Sequence, residues 1–239
     1  MAVGDKPGAK WGLNLQPKVT ITLDLDNHGP EVLEEVNKYF GNSGRIAAPS
    51  KGGQELVFRQ TAVIKYIIPF LKDHPLMGGK AKALAIMIKV IELKASRAHH
   101  DQSIMARILL SIYEMNEASQ RTEADLIKWF SNLPNPKLRG ASQPLEVAPL
   151  TRTKLSPQYV LGVISGDGGF SVVFNQDANI SLYFSVTADL LERGLLEALK
   201  EYLGGIGSLG GDSYSVWIVI GNNQIMEVLI PFIDKLYNS

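Results

Sequence analysis

Residues 155–174 read LSPQYVLGVISGDGGFSVVF and place one acidic residue, Asp167, between two apolar runs. The run before Asp167 is typical of a helix, because Ser156 followed by Pro157 is a favourable helix start. The run after Asp167 is typical of a β-strand. A carboxylate at this junction could bind a metal ion or accept hydrogen bonds from nearby amides, and the residue types leave both roles open.

Two glycines lie on one face of this predicted helix. Gly162 and Gly166 are four residues apart, and neither has a side chain that would hold a neighbouring backbone away. Such a face lets two helices pack closely, at some cost in helix propensity. We therefore expect a protein partner to supply a helix that packs on residues 158–166.

Charge is balanced over the whole chain but divided unevenly along it. The 239 residues contain 24 basic and 24 acidic side chains. Residues 1–157 carry a net charge of +6 and residues 158–239 a net charge of −6. If one part contacts a polyanion, it is the first. The chain has no Cys and therefore no disulfide framework. Its apolar stretches fall short of the roughly 20 residues of a spanning helix, so we expect no membrane contact.

The two parts of the chain repeat each other. VLEEVNKYFG (32–41) is similar to LLEALKEYLG (195–204), and IIPFLKD (67–73) is similar to LIPFIDK (229–235). An alternating run precedes the first helix of each pair, and a glycine-bearing two-strand pattern lies between the two helices. Each half is therefore predicted as strand, helix, hairpin, helix, which is an α+β unit with helices on one side of its sheet.

The offset of 162–163 residues predicts a repeat that is incomplete at both ends. The counterpart of 155–168 would lie before Met1, and counterparts of the helices expected at 81–97 and 102–117 would lie beyond residue 239. The predicted organisation follows from this offset. It comprises an irregular basic N-terminal tail (1–15), a first half (16–133), a Pro-rich linker (134–154) and a second half (155–239).

VLGVISGDG (160–168) resembles the nine-residue signature of the LAGLIDADG homing endonucleases, with Gly162, Ile164, Asp167 and Gly168 in matching positions. The rest of the chain is similar to that family in the order of its elements, in YFG (39–41) and YLG (202–204), and in its IIPF and LIPF sequences. The resemblance implies a pseudo-two-fold pair of halves, each an antiparallel saddle sheet backed by helices. It also implies that Asp167 is a catalytic residue and a Mg²⁺ ligand if the protein cleaves DNA, together with a second acid from a second motif helix.

This sequence departs from the family pattern in two ways. The first is the missing second acid: Asp5 lies near the projected position, but no apolar helix precedes it. The second is charge, because the predicted strands of the second half contain no Lys or Arg. Nucleic-acid binding is therefore predicted for the first half. The residues expected to contribute are Lys18, Arg45, Lys51 and Arg59 on its sheet, and Lys80 and Lys82 in a basic stretch common in the family.

The adjacent His99 and His100 are interpreted as surface residues rather than metal ligands, because neighbouring side chains point to different sides of a helix.

Two hypotheses follow. The favoured one is a repurposed, non-cleaving protein without a cofactor, which serves as a structural or RNA-binding subunit of a mitochondrial or other organellar assembly. That assembly would be a mitochondrial ribosome or an intron-splicing particle, and the bound RNA would be rRNA or intron RNA. The alternative is an active Mg²⁺-dependent DNA endonuclease, completed in trans by a second motif helix.

Overall fold

The chain divides into two compact units in a computed structural model, which describes residues 1–24, 31–50, 53–115, 121–148, 154–174 and 180–237. The first unit comprises residues 1–75 and 82–150, and the second comprises residues 76–81 and 151–239. The boundary near residue 150 lies inside the predicted linker. Among the described residues, no helix is both long and apolar enough to cross a membrane.

The first unit is built on a three-stranded antiparallel sheet. Its strands are β3 (Lys18–Asp24), β4 (Arg45–Ser50) and β5 (Gly53–Arg59), in the order β3-β5-β4. Leu56 and Phe58 are fully buried on one face of β5. Helix α1 (Glu31–Tyr39) contacts β4 and β5 and buries Leu33. The alternation of burial along β5 leaves the other face of the sheet open.

A continuous helical segment follows each hairpin, and both segments contain the same irregularity. In the first unit, α2 (Gln60–Ala62) passes through a π-helical turn (Val63–Ile67) into α3 (Ile68–Asp73). In the second unit, α10 (Asn222–Gln224) passes through a π-helical turn (Ile225–Leu229) into α11 (Ile230–Tyr237). Each π-turn ends two residues before the proline of the IIPF or LIPF sequence. We attribute it to the proline, which cannot donate a backbone hydrogen bond and crowds the preceding turn.

The remaining helices, which apart from the start of α4 belong to the first unit, form a second layer with its own core. They are α4 (Gly78–Ala95), α5 (Gln102–Glu114), α6 (Glu123–Ser131) and the short α7 (Leu138–Ala141). Helices α4 and α5 confirm the helices predicted at 81–97 and 102–117. Asp101 caps α5 by accepting from the amides of Ser103 and Ile104. The core includes Ile86, Val90, Ile108, Ile112 and Phe130.

The first 16 residues differ from the irregular tail that was predicted. They form an antiparallel hairpin of β1 (Ala2–Asp5) and β2 (Leu13–Gln16). Leu13 and Leu15 alternate with polar neighbours and are buried in the helical core, which Trp11 also contacts. The predicted linker is likewise ordered where the structure describes it, because Leu145 packs on the same core and its amide donates to Ser111 Oγ at 2.7 Å.

The second unit carries a four-stranded antiparallel sheet in the order β6-β7-β9-β8. Its strands are β6 (Gly168–Phe174), β7 (Ile180–Ala188), β8 (Ser208–Gly210) and β9 (Ser215–Ile220). Helices α8 (Pro157–Asp167), α9 (Arg193–Tyr202) and α11 enclose a core centred on Phe184, Trp217 and Leu229. The predicted order of strand, helix, hairpin and helix is thus present in both units.

Residues 76–81 belong to the second unit, which the sequence did not predict. The backbone amide of Lys80 donates to Glu192 Oε1 at 2.9 Å. Glu192 is buried, with 5% of its surface exposed. A buried carboxylate requires polar partners, and the Lys80 amide at the start of α4 is one of them.

Candidate nucleic-acid interface

The first open face is the side of the β3-β5-β4 sheet that lies opposite Leu56 and Phe58. Strand register sets Lys18 directly opposite Arg59, and Arg45 opposite Val57 two residues before Arg59. All three cationic side chains are exposed. Residues paired across antiparallel strands point to the same side, so the three charges lie together at one end of this face. Thr20, Thr22, Ala47, Glu55 and Val57 complete the face.

The other predicted basic residues do not join this group. Lys51 lies outside the described residues. Lys80 and Lys82 are exposed on α4 rather than on the sheet, and Lys82 Nζ lies 3.7 Å from a carboxylate oxygen of Glu114. The structure therefore brings together Lys18, Arg45 and Arg59 from the predicted set.

The second open face is the corresponding side of the β6-β7-β9-β8 sheet. It carries no lysine or arginine within the four described strands. Its residues include Ser171, Val173, Ser181, Tyr183, Ser185, Thr187, Ser208, Val216, Ile218 and Ile220. Such a face offers hydroxyls and aliphatic groups but no charge to neutralise phosphates.

Helix α8 presents Asp167 and the two glycines to solvent. Ser156 Oγ caps the helix by accepting from the Tyr159 amide at 3.2 Å. Val160 and Ile164 are buried in the core, which fixes the opposite side of the helix outward. At Gly162 and Gly166, no heavy atom of the described residues lies within 4 Å of where a Cβ would stand, apart from adjacent residues and the backbone of α8 itself. This face is therefore accessible to a second helix.

The described residues do not supply the donors of a complete magnesium site. Asp167 is exposed at the end of α8, and no group of three or more acidic or histidine side chains suited to a metal occurs in the described ranges. Residues 13–16, just before β3, form a strand rather than a motif helix. Asp5 instead accepts a hydrogen bond from Lys128 Nζ at 2.8 Å. One carboxylate does not fit a site that needs ligands from two sides.

Lys94 is a basic residue near the first open face that the sequence did not single out. It lies near the end of α4, and its Nζ donates to the Leu15 carbonyl at 2.6 Å and to Gln60 Oε1 at 2.9 Å. Burial, followed by the charge of Lys6, lowers the pKa of Lys94. Lys94, Lys18 and Arg59 line one pocket of about 480 Å³. The sequence pattern of α4 does not indicate that Lys94 lines this pocket, because the position of its side chain depends on the N-terminal hairpin.

The positions of His99 and His100 also differ from the prediction. They lie in a short 3₁₀ turn (Ala98–His100), and their ring centroids are 4.4 Å apart. A 3₁₀ turn directs adjacent residues to different sides, as an α-helix does, so the two rings approach because their side chains turn toward each other. His99 is partly buried, whereas His100 is exposed.

Comparison with known proteins gives a profile match for the motif region and identifies the fold of the chain. Residues 160–238 match the profile described as LAGLIDADG endonuclease. Among solved structures, I-SmaMI bound to uncleavable DNA superposes with a TM-score of 0.78 at 21% identity, covering 98% of this chain and 78% of that one. I-LtrWI bound to target DNA gives a TM-score of 0.79 at 20% identity, covering 98% and 77%.

I-GzeII in complex with its DNA target gives a TM-score of 0.74 at 20% identity, with coverage of 98% and 77%. The sequence has no match among curated proteins. The resemblance seen in the sequence is confirmed: residues 160–238 match the LAGLIDADG endonuclease profile, and the fold of the chain is that of the LAGLIDADG homing endonucleases.

Proposed function

We propose that this protein binds nucleic acid through the first open face and does not cleave it as an isolated chain. The observation that carries the proposal is the grouping of Lys18, Arg45 and Arg59 on one exposed sheet face. Neutralisation of phosphates by such residues supplies most of the affinity of non-specific nucleic-acid binding. The similar structures that are bound to DNA support a nucleic-acid ligand for this fold.

The absence of cleavage is inferred from the donor set. Hydrolysis of a phosphodiester by metal ions needs ligands that hold cations against both the attacking and the leaving oxygen. The described residues offer Asp167 at the end of one motif helix, without a second such helix before β3.

The proposed role is that of a structural or RNA-binding subunit of a mitochondrial or other organellar assembly, such as a ribosome or an intron-splicing particle. The uncharged second open face suits contact with protein better than contact with a polyanion. Phe170, Val172 and Phe174 are 56%, 53% and 74% exposed on the other side of β6. Exposed apolar surface of this kind supports a protein partner, and Gly162 and Gly166 offer a surface for its helix.

The test combines binding with cleavage. The purified protein is titrated with duplex DNA and single-stranded RNA of equal length, and the same mixtures are then incubated with Mg²⁺. We expect salt-sensitive binding and intact strands. Cleavage of a defined duplex by protein free of other components would contradict the proposal.

A second candidate function is DNA cleavage completed in trans, with Asp167 as one Mg²⁺ ligand. The observation that favours it is the accessible glycine face of α8, which ends at an exposed acid. The test is Asp167→Asn with all partners present. Loss of cleavage is expected for this function, and unchanged cleavage would exclude it.

A further inference from the structure

A pocket beside the N-terminal hairpin, here named the hairpin pocket, is lined only by basic residues among its titratable side chains. Its volume is about 440 Å³, and these side chains are Lys6, Lys10, Lys94, His99 and His100. Two acids are adjacent to them in sequence, but neither lines the pocket. Asp5 accepts from Lys128, and Asp101 caps α5. Hydrogen bonds from Ser103 and Ile104, and to a smaller extent the charge of Lys10, lower the pKa of Asp101. Asp101 therefore offsets part of the charge of Lys10, and the lining itself holds no acid.

The walls of the hairpin pocket are fixed by hydrogen bonds between distant parts of the first unit. Trp11 Nε1 donates to the His99 carbonyl at 2.9 Å, across 88 residues of sequence. Lys94 Nζ donates to the Leu15 carbonyl at 2.6 Å. His99 Nδ1 lies 3.3 Å from the Leu93 carbonyl, which can only accept. These bonds hold the hairpin loop against the end of α4, so the cations converge on a formed cavity.

We propose that the hairpin pocket is a binding site for a phosphate group of a nucleic-acid strand. Ammonium and imidazole N–H groups are charge-assisted donors to phosphate oxygens. The pocket holds several such donors without a competing carboxylate in its lining. The identity of the ligand as nucleic acid rests on the proposed function, whereas the phosphate chemistry of the pocket does not.

The position of the hairpin pocket indicates that its phosphate belongs to the nucleic-acid strand that is bound on the first open face. The pocket that contains Lys18 and Arg59 and the hairpin pocket share Asn14, Leu15 and Lys94 in their linings. Cationic groups therefore continue from the first open face, past Lys94, to the hairpin loop. A strand held on the sheet by Lys18 and Arg59 would extend toward the hairpin pocket and place another phosphate there.

His99 makes this binding dependent on pH. Because His99 Nδ1 donates to Leu93, the second proton of the imidazolium would sit on Nε2 and be available to an anion. Burial is the main cause that lowers the pKa of His99, with smaller contributions from His100 and Lys94, while the Leu93 hydrogen bond opposes them. A bound phosphate opposes the charges of Lys6, Lys10, Lys94 and His100. We therefore expect tighter binding as pH falls from about 7.5 to about 6.

The first test uses inorganic phosphate and follows the histidine ring signals by NMR. In the parent protein we expect phosphate to raise the titration midpoint of His99. The pocket variant Lys6→Gln, Lys10→Gln, His100→Gln should bind phosphate about 10-fold more weakly. The matched control Lys38→Gln, Lys72→Gln, His74→Gln removes the same residue types from α1, α3 and the residue after α3, and should bind as the parent does.

The second test uses a short single-stranded RNA with either a 5′ hydroxyl or a 5′ phosphate. Equal loss of affinity for both RNAs in the pocket variant supports an internal backbone phosphate. If the 5′ phosphate raises the affinity of the parent protein and the pocket variant loses only that increase, the result supports binding of a terminal phosphate. If the pocket variant binds phosphate and both RNAs as the control variant does, the proposal is overturned. If phosphate binds but RNA does not, the pocket stands and the proposed function fails.

Discussion

The two sheets of this protein share a fold and differ in their open faces. Both belong to units with the order strand, helix, hairpin and helix, and both are followed by a helix with a π-turn before a proline. On the open side, the first sheet groups Lys18, Arg45 and Arg59, whereas the described strands of the second sheet carry hydroxyl and aliphatic side chains.

The difference shows that the buried positions are determined by the fold, whereas the open positions are determined by what binds to them. Leu56 and Phe58 in the first sheet, and Phe184 and Trp217 in the second, are fully buried beneath helices. Burial restricts these positions to large apolar side chains, because a polar group there would lose its hydration. Open positions carry no such restriction, so their charges can differ between halves while the fold remains the same.

The largest expected effect comes from substitutions in the buried cores, which both sheets have in common. Phe58→Ala and Trp217→Ala each remove a fully buried ring from equivalent sheets, and each should lower the free energy of unfolding by about 3–5 kcal/mol. Urea denaturation measures both. Ile220→Ala, on the open side of β9, is the control and should cost under about 1 kcal/mol. A small effect at Phe58 alone would mean that the two cores are not equivalent.

The next effect comes from removing the charge that distinguishes the sheets. The open-face variant Lys18→Gln, Arg45→Gln, Arg59→Gln should bind single-stranded RNA about 10–100-fold more weakly at moderate salt, because three phosphate contacts are lost. Fluorescence anisotropy measures the affinity. The matched control Lys38→Gln, Lys72→Gln, Lys235→Gln removes three exposed lysines from helices. Equal losses in both variants would point to net charge rather than to the sheet.

A smaller effect should follow when the missing charge is added to the second sheet. Ser185→Lys and Ile220→Lys place two cations on the second open face, and should raise RNA affinity about 3–10-fold with a steeper dependence on salt. Anisotropy titrations over a range of salt concentrations measure both quantities. An unchanged salt dependence would contradict the prediction, because it would mean that two added cations do not bring RNA onto this face.

The smallest expected effect is a difference between the two units in how their stability depends on pH. All four histidines lie in residues 1–100, and the pKa of His99 is lowered, mainly by burial. A lowered folded-state pKa means that the unfolded chain takes up the proton first as pH falls through the ordinary histidine range. Acid should therefore weaken the first unit slightly. Hydrogen exchange, corrected for intrinsic rates, should show a loss of protection in α5 but not in β9, and His99→Gln should reduce that loss.

Much of the fold was predictable because the same pattern of strands and helices occurs in both halves of the sequence. The alternation in 19–25 and 180–187 and the paired helix sequences define both α+β units without reference to contacts. The hairpin of residues 1–16 was not predictable in this way, because each strand has four residues and its partner surface is a helical core. The assignment of 76–81 to the second unit depends on Glu192, 112 residues from Lys80.

The candidate interface was predictable only in part. Lys18, Arg45 and Arg59 were predicted on the strands of the first sheet, and the strand register in the structure shows that they share one face. Lys94 could not be recognised, since its position depends on the hairpin carbonyl of Leu15 and on Gln60. Lys80 and Lys82 were predicted as nucleic-acid contacts by resemblance, and the structure places them on helix α4.

The most direct test of the central claim is amide hydrogen exchange of the intact protein, with and without saturating single-stranded RNA. The claim is that nucleic acid contacts the first open face and not the second. It predicts added protection in β3 and β5, and none in β7 and β9. Added protection in β7 and β9 with none in β3 and β5 would contradict it.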